Sequence, residues 1–284
     1  MKDFKIRTMT RDELDWAVDM AANEGWNPGL NDAEAFYAQD PNGFLIGLLN
    51  DTPIGCISAV SYDRVFGFIG FYIVAKPYRG KGYGMQLWRA AMERIQGHVA
   101  GLDGVFEQQE NYSKSGFDFQ YSNIRFEFDN TIQAATTQSS SELIKAEPAM
   151  LEELVAYEDK LFPCSRETFL SKWLTLPDSV SLASRTGGRI NGYGTIRKCR
   201  SGSKIGPLFA DNEKVAELIF QNLCAEADTD SLIYLDVPEI NDQGLALAER
   251  YGMKKVFGTA RMYAGSAPDL DLNRIFGVTT FELG

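Results

Sequence analysis

Apolar positions in this chain follow two periods, an alternation of two and a step of three or four, and the switches between them mark out elements. Residues 4–9 read as a strand, and Thr10 is placed to cap a helix over residues 11–23. Residues 43–49 and 54–62 read as strands joined by Asn50-Asp51-Thr52-Pro53, a turn composition. A long aromatic and β-branched strand covers residues 65–74. The helix that follows, residues 85–96, is apolar at Met85, Trp88, Met92 and Ile95. A further strand covers residues 102–106. The pattern predicts a mixed α/β fold with a largely antiparallel central sheet flanked by helices.

Between Asn130 and Ser141 the chain is polar and has no hydrophobic period, which reads as a linker (residues 130–141) between residues 1–129 and 142–284. Beyond it the order of helix, strands, helix, strand, helix, strand recurs, as in a distant repeat. Gly116 is followed nine residues later by Arg125, and Gly252 nine residues later by Arg261. Pro53-Ile54-Gly55 and Ile190-Asn191-Gly192 occupy similar hairpin contexts. A length of 284 residues also suggests two domains.

Composition narrows the classes of function. Lys and Arg number 28 against 39 Asp and Glu, a net charge of −11. Up to Asp129 there are 12 basic and 18 acidic residues, leaving 16 and 21 for the remainder, so the halves carry −6 and −5. The acidity is spread and favours solubility, and it weighs against a nucleic-acid partner held by a basic field. No run approaches the ~18 apolar residues of a membrane span, and Met1-Lys2-Asp3-Phe4 lacks the apolar stretch of a signal peptide. A cytoplasmic protein without a membrane partner is expected. Cys56, Cys164, Cys199 and Cys224 show no paired spacing, and His98 is the single histidine. No metal, disulfide framework or histidine triad is expected. His98, after Gly97, reads as a helix-end or surface residue.

The informative segment is Val74-Ala75-Lys76-Pro77-Tyr78-Arg79-Gly80-Lys81-Gly82-Tyr83-Gly84, between the long strand and the amphipathic helix. Three glycines at spacing two, opening a helix, bring free backbone N–H groups and the positive helix end to one spot where a phosphate can lie against the main chain. Arg79 and Lys81 add charge. The spacing matches neither a Walker loop nor a dinucleotide fingerprint.

Arg79-Gly80-Lys81-Gly82-Tyr83-Gly84 resembles the Arg/Gln-x-x-Gly-x-Gly/Ala pyrophosphate loop of the GNAT acetyltransferase superfamily. Tyr112, four residues before Gly116-Phe117, is similar to the Tyr-x-x-x-Gly-Phe signature near the end of that domain. The resemblance covers about residues 3–128. It extends to a subfamily with Glu24-Gly25-Trp26-Asn27-Pro28-Gly29, Asp40-Pro41-x-Gly43-Phe44 and Gly101-Leu102-Asp103-Gly104-Val105, whose members carry a second, divergent acetyltransferase-like domain. It implies two tandem GNAT-like domains, an active one over residues 1–129 and a degenerate one over residues 142–284.

The resemblance implies acetyl-CoA as cosubstrate, with its pyrophosphate on residues 79–84, Asn111 nearby, and main-chain groups of Tyr72, Ile73 and Val74 orienting the thioester. Tyr112 is then the proton donor to the leaving thiolate, the alternative being a tyrosine packed on the core edge. A small-molecule amine, or a peptide amine, would attack directly. Presenting a lysine-type amine in neutral form at pH 7 costs about 4–5 kcal/mol, so a base would help. Residues 65–74 hold no Glu or Asp where many family members place one. That leaves Glu24, Asp32 and Asp103 as candidates, each also readable as a structural carboxylate.

Glu24, Trp26 and Asn27 fall where the superfamily places its acceptor loop, Trp26 serving as aromatic wall or as loop anchor. Tyr62, Phe71 and Tyr72 are candidate neighbours of the same region. In the second half, Gly206-Pro207-Leu208-Phe209-Ala210-Asp211-Asn212 lacks the Gly-rich loop, and Ala248 stands four residues before Gly252. Asp211 or Asn212 reads as a helix N-cap, and Arg197, Arg200 and Lys204 as a solvated basic hairpin face, the alternative being an anion site. The second half is expected to bind no acetyl-CoA but to pack over the first cleft and shape its acceptor pocket. The alternative to an enzyme is an idle acetyl-CoA-binding or protein-interaction module. Oligomeric state is not legible.

Overall fold

The structure is a computed structural model that describes residues 3–130 and 143–284; all of the expected linker beyond Asn130 lies outside the described residues. The first half opens with β1 (Phe4–Thr8) and α1 (Arg11–Asn23). Thr10 Oγ1 accepts from Glu13 N while the Glu13 carboxylate accepts from Thr10 N, a reciprocal cap that fixes where α1 begins. After α2 (Asp32–Gln39), the strands β2 (Phe44–Leu49), β3 (Thr52–Tyr62) and β4 (Phe66–Val74) form an antiparallel meander. Helix α3 (Tyr83–Arg94) then crosses to β5 (Val99–Val105), parallel to β4, and α4 (Gln109–Lys114) leads to β6 (Asp118–Asp129).

The second half repeats the plan. It runs through β7 (Leu143–Lys145), α5 (Leu151–Tyr157), α6 (Glu167–Trp173), β8 (Ser179–Thr186), β9 (Arg189–Lys198), β10 (Ser203–Ala210), α7 (Glu213–Ala225) and β11 (Leu232–Pro238). It closes with α8 (Asp242–Arg250), β12 (Lys254–Ala264) and the short β13 (Ile275–Gly277). Among the described residues no helix is long and apolar enough to cross a membrane.

The strands join one sheet in the order β1-β2-β3-β4-β5-β12-β6-β11-β10-β9-β8-β7, with β13 on β10. The final long strand of each half has changed sides: β12 pairs with β5, and β6 pairs with β11. The two exchanged strands also pair antiparallel with each other. The repeated arginines lie on them. Arg125 on β6 is opposite Asp236 on β11 and binds it through two bonds of 2.6 and 2.7 Å. Arg261 on β12 is opposite Asp103 on β5 and binds it at 2.7 and 2.6 Å. Both pairs are buried, so each half neutralises a carboxylate of the other.

Strand alternation sorts the apolar side chains into separate cores. Phe44, Ile46, Phe66 and Phe68 enter a core shared by α1, α2, α5 and α6, where Phe36 stacks on Trp173 with centroids 6.4 Å apart. Leu45, Ile57 and Ile69 point the other way, onto Leu87, Trp88 and Ala91 of α3. A third core packs α7 and α8 on the strands of the second half and on the exchanged β6, through Ile124, Phe126 and Phe128.

Candidate active site

The β4–β5 ladder runs only from Phe66 to Ile69, opposite Val99 to Leu102, and beyond it the strands diverge. At that point β4 carries a bulge against β3, between the Gly70–Ser58 and Ile73–Cys56 pairings, and Phe71 takes a φ of +48°. Such bulges turn backbone groups out of the ladder. A cavity of about 580 Å³ occupies the divergence.

Its wall contains residues 69–74, Tyr78, Arg79, Gly80 and Gly84, residues 102–105, and Glu107, Gln108 and Tyr112. Glu24 and Trp26 close one side, and Phe257, Thr259, Phe281 and Glu282 of the second half complete it. Of the residues singled out in the sequence, Tyr72, Ile73, Val74, Arg79, Gly80, Gly84, Tyr112, Glu24, Trp26, Phe71 and Asp103 meet at this cavity. Lys81, Gly82 and Tyr83 continue the Gly-rich loop outside its wall. Asn111 is exposed and donates to Gln108 Oε1 at 2.8 Å. Tyr62 is buried elsewhere, its hydroxyl donating to the carbonyl of Leu283.

The loop has the geometry of an anion cradle. Gly80 and Gly82 hold φ of +73° and +83°, where a side chain is strained, and nothing lies within 4 Å of where a Cβ would project. Gly82 precedes α3 without any side-chain cap, leaving the first-turn N–H groups free of one. A Cβ on Gly84 would come within 2.9 Å of Tyr72 Oη. Arg79 donates to Val74 O at 2.7 Å and pairs with Glu24 at 2.5 Å, tying this loop to the segment around Trp26.

Tyr112 lies almost buried against Trp88, with centroids 5.5 Å apart. Gly104 makes its place, since a Cβ there would sit 2.3 Å from the tyrosine ring. Burial, and then the nearby Tyr72, push the Tyr112 phenol above the usual tyrosine range, so it is neutral and protonated at pH 7.

The carboxylates expected as bases are already engaged: Glu24 by Arg79, Asp103 by Arg261 and Asn123, and Asp32 by Arg197 and Gly29 N. Asn27 is not in the cavity wall; its amide exchanges two bonds with the backbone of Ser201. The segment around it docks on the β9–β10 hairpin through a Gly29–Cys199 bridge and a bond from Leu30 N to Lys198 O. This corrects the expected solvated basic face. Arg197 and Lys204 are buried by that docking, Arg197 on Asp32 and Lys204 and Arg125 on Trp26 O; Arg200 alone remains exposed, paired with Asp19. The sequence reading missed Phe257, Thr259, Phe281 and Glu282. The one local signal, for Glu282, is an acid set between the apolar Phe281 and Leu283.

The corresponding divergence in the second half is filled. The β10–β11 ladder covers only Ser203 to Ile205, and β13 then pairs antiparallel with β10 at Leu208 and Phe209 while Val278 N bonds Asp236 O on β11. Asn212 caps α7 through Val215 N, and Asp211 pairs with Arg274 at 2.8 Å.

A fold with one open and one filled cleft, and a Gly-rich loop at the open one, defines an acyltransferase scaffold, and comparison with known proteins agrees. The family model described as "Acetyltransferase (GNAT) family" matches residues 10–116, and that described as "Acetyltransferase (GNAT) domain" matches residues 154–277. The chain is an acyltransferase. It belongs to the GNAT superfamily and carries two such domains in tandem. Among its relatives is the holothin acyltransferase of Pseudoalteromonas sp. (strain SANK 73390), 29% identical over 272 residues that span 95% of this chain and 92% of the relative. Two solved structures share the fold. An acetyltransferase candidate from Pyrococcus horikoshii aligns with a TM-score of 0.83 at 21% identity, covering 100% of this chain and 97% of that one. A tandem GNAT protein from the clavulanic acid biosynthesis pathway aligns at 0.64 and 12%, covering 93% and 100%.

Proposed function

We propose that the first half transfers an acetyl group from acetyl-CoA to an amine acceptor, by direct attack within a ternary complex. The observation that carries this reading is the single cavity joining the Gly80–Gly84 region of the loop to Tyr112. Bound acetyl-CoA would supply an acyl group activated as a thioester. The backbone N–H groups of residues 80–84 hold the pyrophosphate, with Arg79 and Lys81 adding charge. Main-chain groups of residues 72–74, which lie past the end of the β4–β5 ladder, polarise the carbonyl. Tyr112 gives its proton to the departing sulfur. The acceptor enters past Glu24 and Trp26, on the side that the second half completes.

The test measures free CoA release from acetyl-CoA with a panel of alkyl and aryl amines, amino acids, peptides and holothin, the last because the relative's name makes it an acceptor there. Turnover with one class supports transfer; affinity for acetyl-CoA without any turnover would instead mark an idle binding module. Tyr112→Phe is expected to lower the single-turnover rate by about 10²–10⁴ fold while leaving acetyl-CoA affinity nearly unchanged. A rate within a factor of two of wild type would remove Tyr112 as the proton donor.

A further inference from the structure

Residues 278–284 connect the two clefts. They leave the filled one at β13 and end against β4, where a Cβ on Gly70 would lie 2.2 Å from the carbonyl oxygen of Glu282. Gly70 is the first residue of β4 past the β4–β5 ladder, so this segment rests where the strands begin to part. It is firmly held: Arg197 and Arg166 bind Thr279, and Tyr62 binds Leu283 O.

Glu282 is 3% exposed, belongs to the cavity wall, and its Oε1 has no hydrogen-bond partner. A buried carboxylate oxygen without a donor is costly, and one that belongs to a cavity wall is placed to receive a donor from a ligand. Of the other carboxylates in the cavity wall, Glu24 and Asp103 are tied to arginines and Glu107 is exposed. The long strand supplies none. Through the strand exchange and residues 278–284, the second half delivers a carboxylate to the place where the first half lacks one.

We infer that Glu282 is the base for the acceptor, a primary amine that enters the cavity as its ammonium form and is carried on an apolar body flanked by Trp26, Phe257 and Phe281. This inference rests on the acetyl-transfer reading above. Glu282 takes one proton from the ammonium and leaves a free amine whose nitrogen attacks the thioester carbon. As the C–N bond forms and the C–S bond breaks, the sulfur gains a proton from Tyr112, and the second proton lost by the nitrogen passes to the resulting phenolate and restores Tyr112. One proton per turnover passes to solvent through Glu282.

The surroundings suit the role. Burial raises the Glu282 carboxyl above its ordinary range, Lys204 opposes that rise, Asp32 adds to it, and Arg125 and Arg197 oppose it. These groups face it from β10, α2, β6 and β9. A carboxyl raised above its ordinary range is a better proton acceptor than an ordinary glutamate. An alkylamine of pKa ~10.4 is free base in only about one molecule in 10³ at pH 7, which sets the size of the task.

The test uses the full chain and the amine of highest kcat/KM in the panel. Glu282→Gln should lower kcat/KM for that amine at pH 7 by about 10²–10⁴ fold with acetyl-CoA affinity retained, and the deficit should shrink as pH rises toward the amine's own pKa. Glu282→Asp, which keeps the carboxylate one methylene short, should retain part of the activity. A deficit that is the same at every pH, or a Glu282→Gln rate within a factor of two of wild type, overturns the inference while leaving acetyl transfer standing. A second measurement needs no turnover. In protein labelled with ¹³C at glutamate carboxyls, the resonance missing from Glu282→Gln should shift on adding benzylamine and not on adding benzyl alcohol; equal or absent responses overturn the assignment even if the panel yields no substrate.

Discussion

The two halves part their strands at the same place and use the gap differently. Between β4 and β5 the gap is a cavity of about 580 Å³ beside a glycine loop. Between β10 and β11 it holds β13, whose Gly277 fits against Leu235 and Leu208 so closely that a Cβ would lie 2.6 Å from Leu235 Cδ1. Loss of the loop in the second half and occupation of its cleft therefore go together. Asp211 and Asn212 stand where an anion would be met, and the strand that fills the gap continues as the wall of the other site. The second half contributes to the first through what it has put in its own cleft.

The sharpest way to break this comparison is at the loop. Gly82→Asp forces a side chain onto a φ of +83° and sets a negative charge at the uncapped start of α3. Acetyl-CoA binding should fall at least ~100-fold by calorimetry with the fold intact by circular dichroism. Unchanged affinity would mean the pyrophosphate lies elsewhere.

Much of this was legible because it is local. The capped start of α1, the glycine loop, and the spacing of Tyr112 to Gly116-Phe117 are read within a few residues. The nine-residue echo from Gly116 to Arg125 and from Gly252 to Arg261 is legible too, but not that each arginine serves the other half. A strand's alternation is the same whichever neighbour it pairs with, so the exchange of β6 and β12 leaves no trace in the local pattern. The same holds for Arg197 and Lys204, which read as exposed hairpin charges and are buried where residues 24–32 dock on them and Trp173 covers Arg197. Glu282 stands between Phe281 and Leu283 with no motif, and its place is set by contacts more than two hundred residues away in sequence.

The exchanged strands give the next largest effect. Asp236→Asn and Asp103→Asn each leave a buried arginine unpaired and should each cost about 3–5 kcal/mol in denaturant unfolding. The double change Asp103→Leu with Arg261→Met should be close to neutral, since it removes both charges. The pairs should differ in function, because Asp103 belongs to the cavity wall and Asp236 does not. Acceptor KM is expected to rise with Asp103→Asn and to stay within about twofold with Asp236→Asn at a temperature where both are folded. Equal effects on KM would mean that both crossings shape the site to the same degree.

The smallest effect separates the first helices of the halves. In the first half Glu13 accepts from Arg7 at 2.6 Å through both oxygens and from Thr10 N, whereas α5 starts without a side-chain cap. The Arg7 hydrogen bond, joined by the cap, lowers the Glu13 carboxyl from 4.5 to about 2 against a partial burial that raises it. A carboxyl whose pKa is depressed by folding lends stability above its unfolded value and withdraws it as pH falls through the folded one. That contribution is complete above about pH 5, declines from 4.5, and is gone below about 2. Because Arg7 is nearly half exposed, screening holds the gain below about 1 kcal/mol. Glu13→Gln should lower Tm slightly at pH 7 and flatten the fall of Tm between pH 4.5 and 2 relative to wild type. Parallel curves for the two proteins over that window would show that the cap contributes geometry at the start of α1 but no acid-sensitive stability.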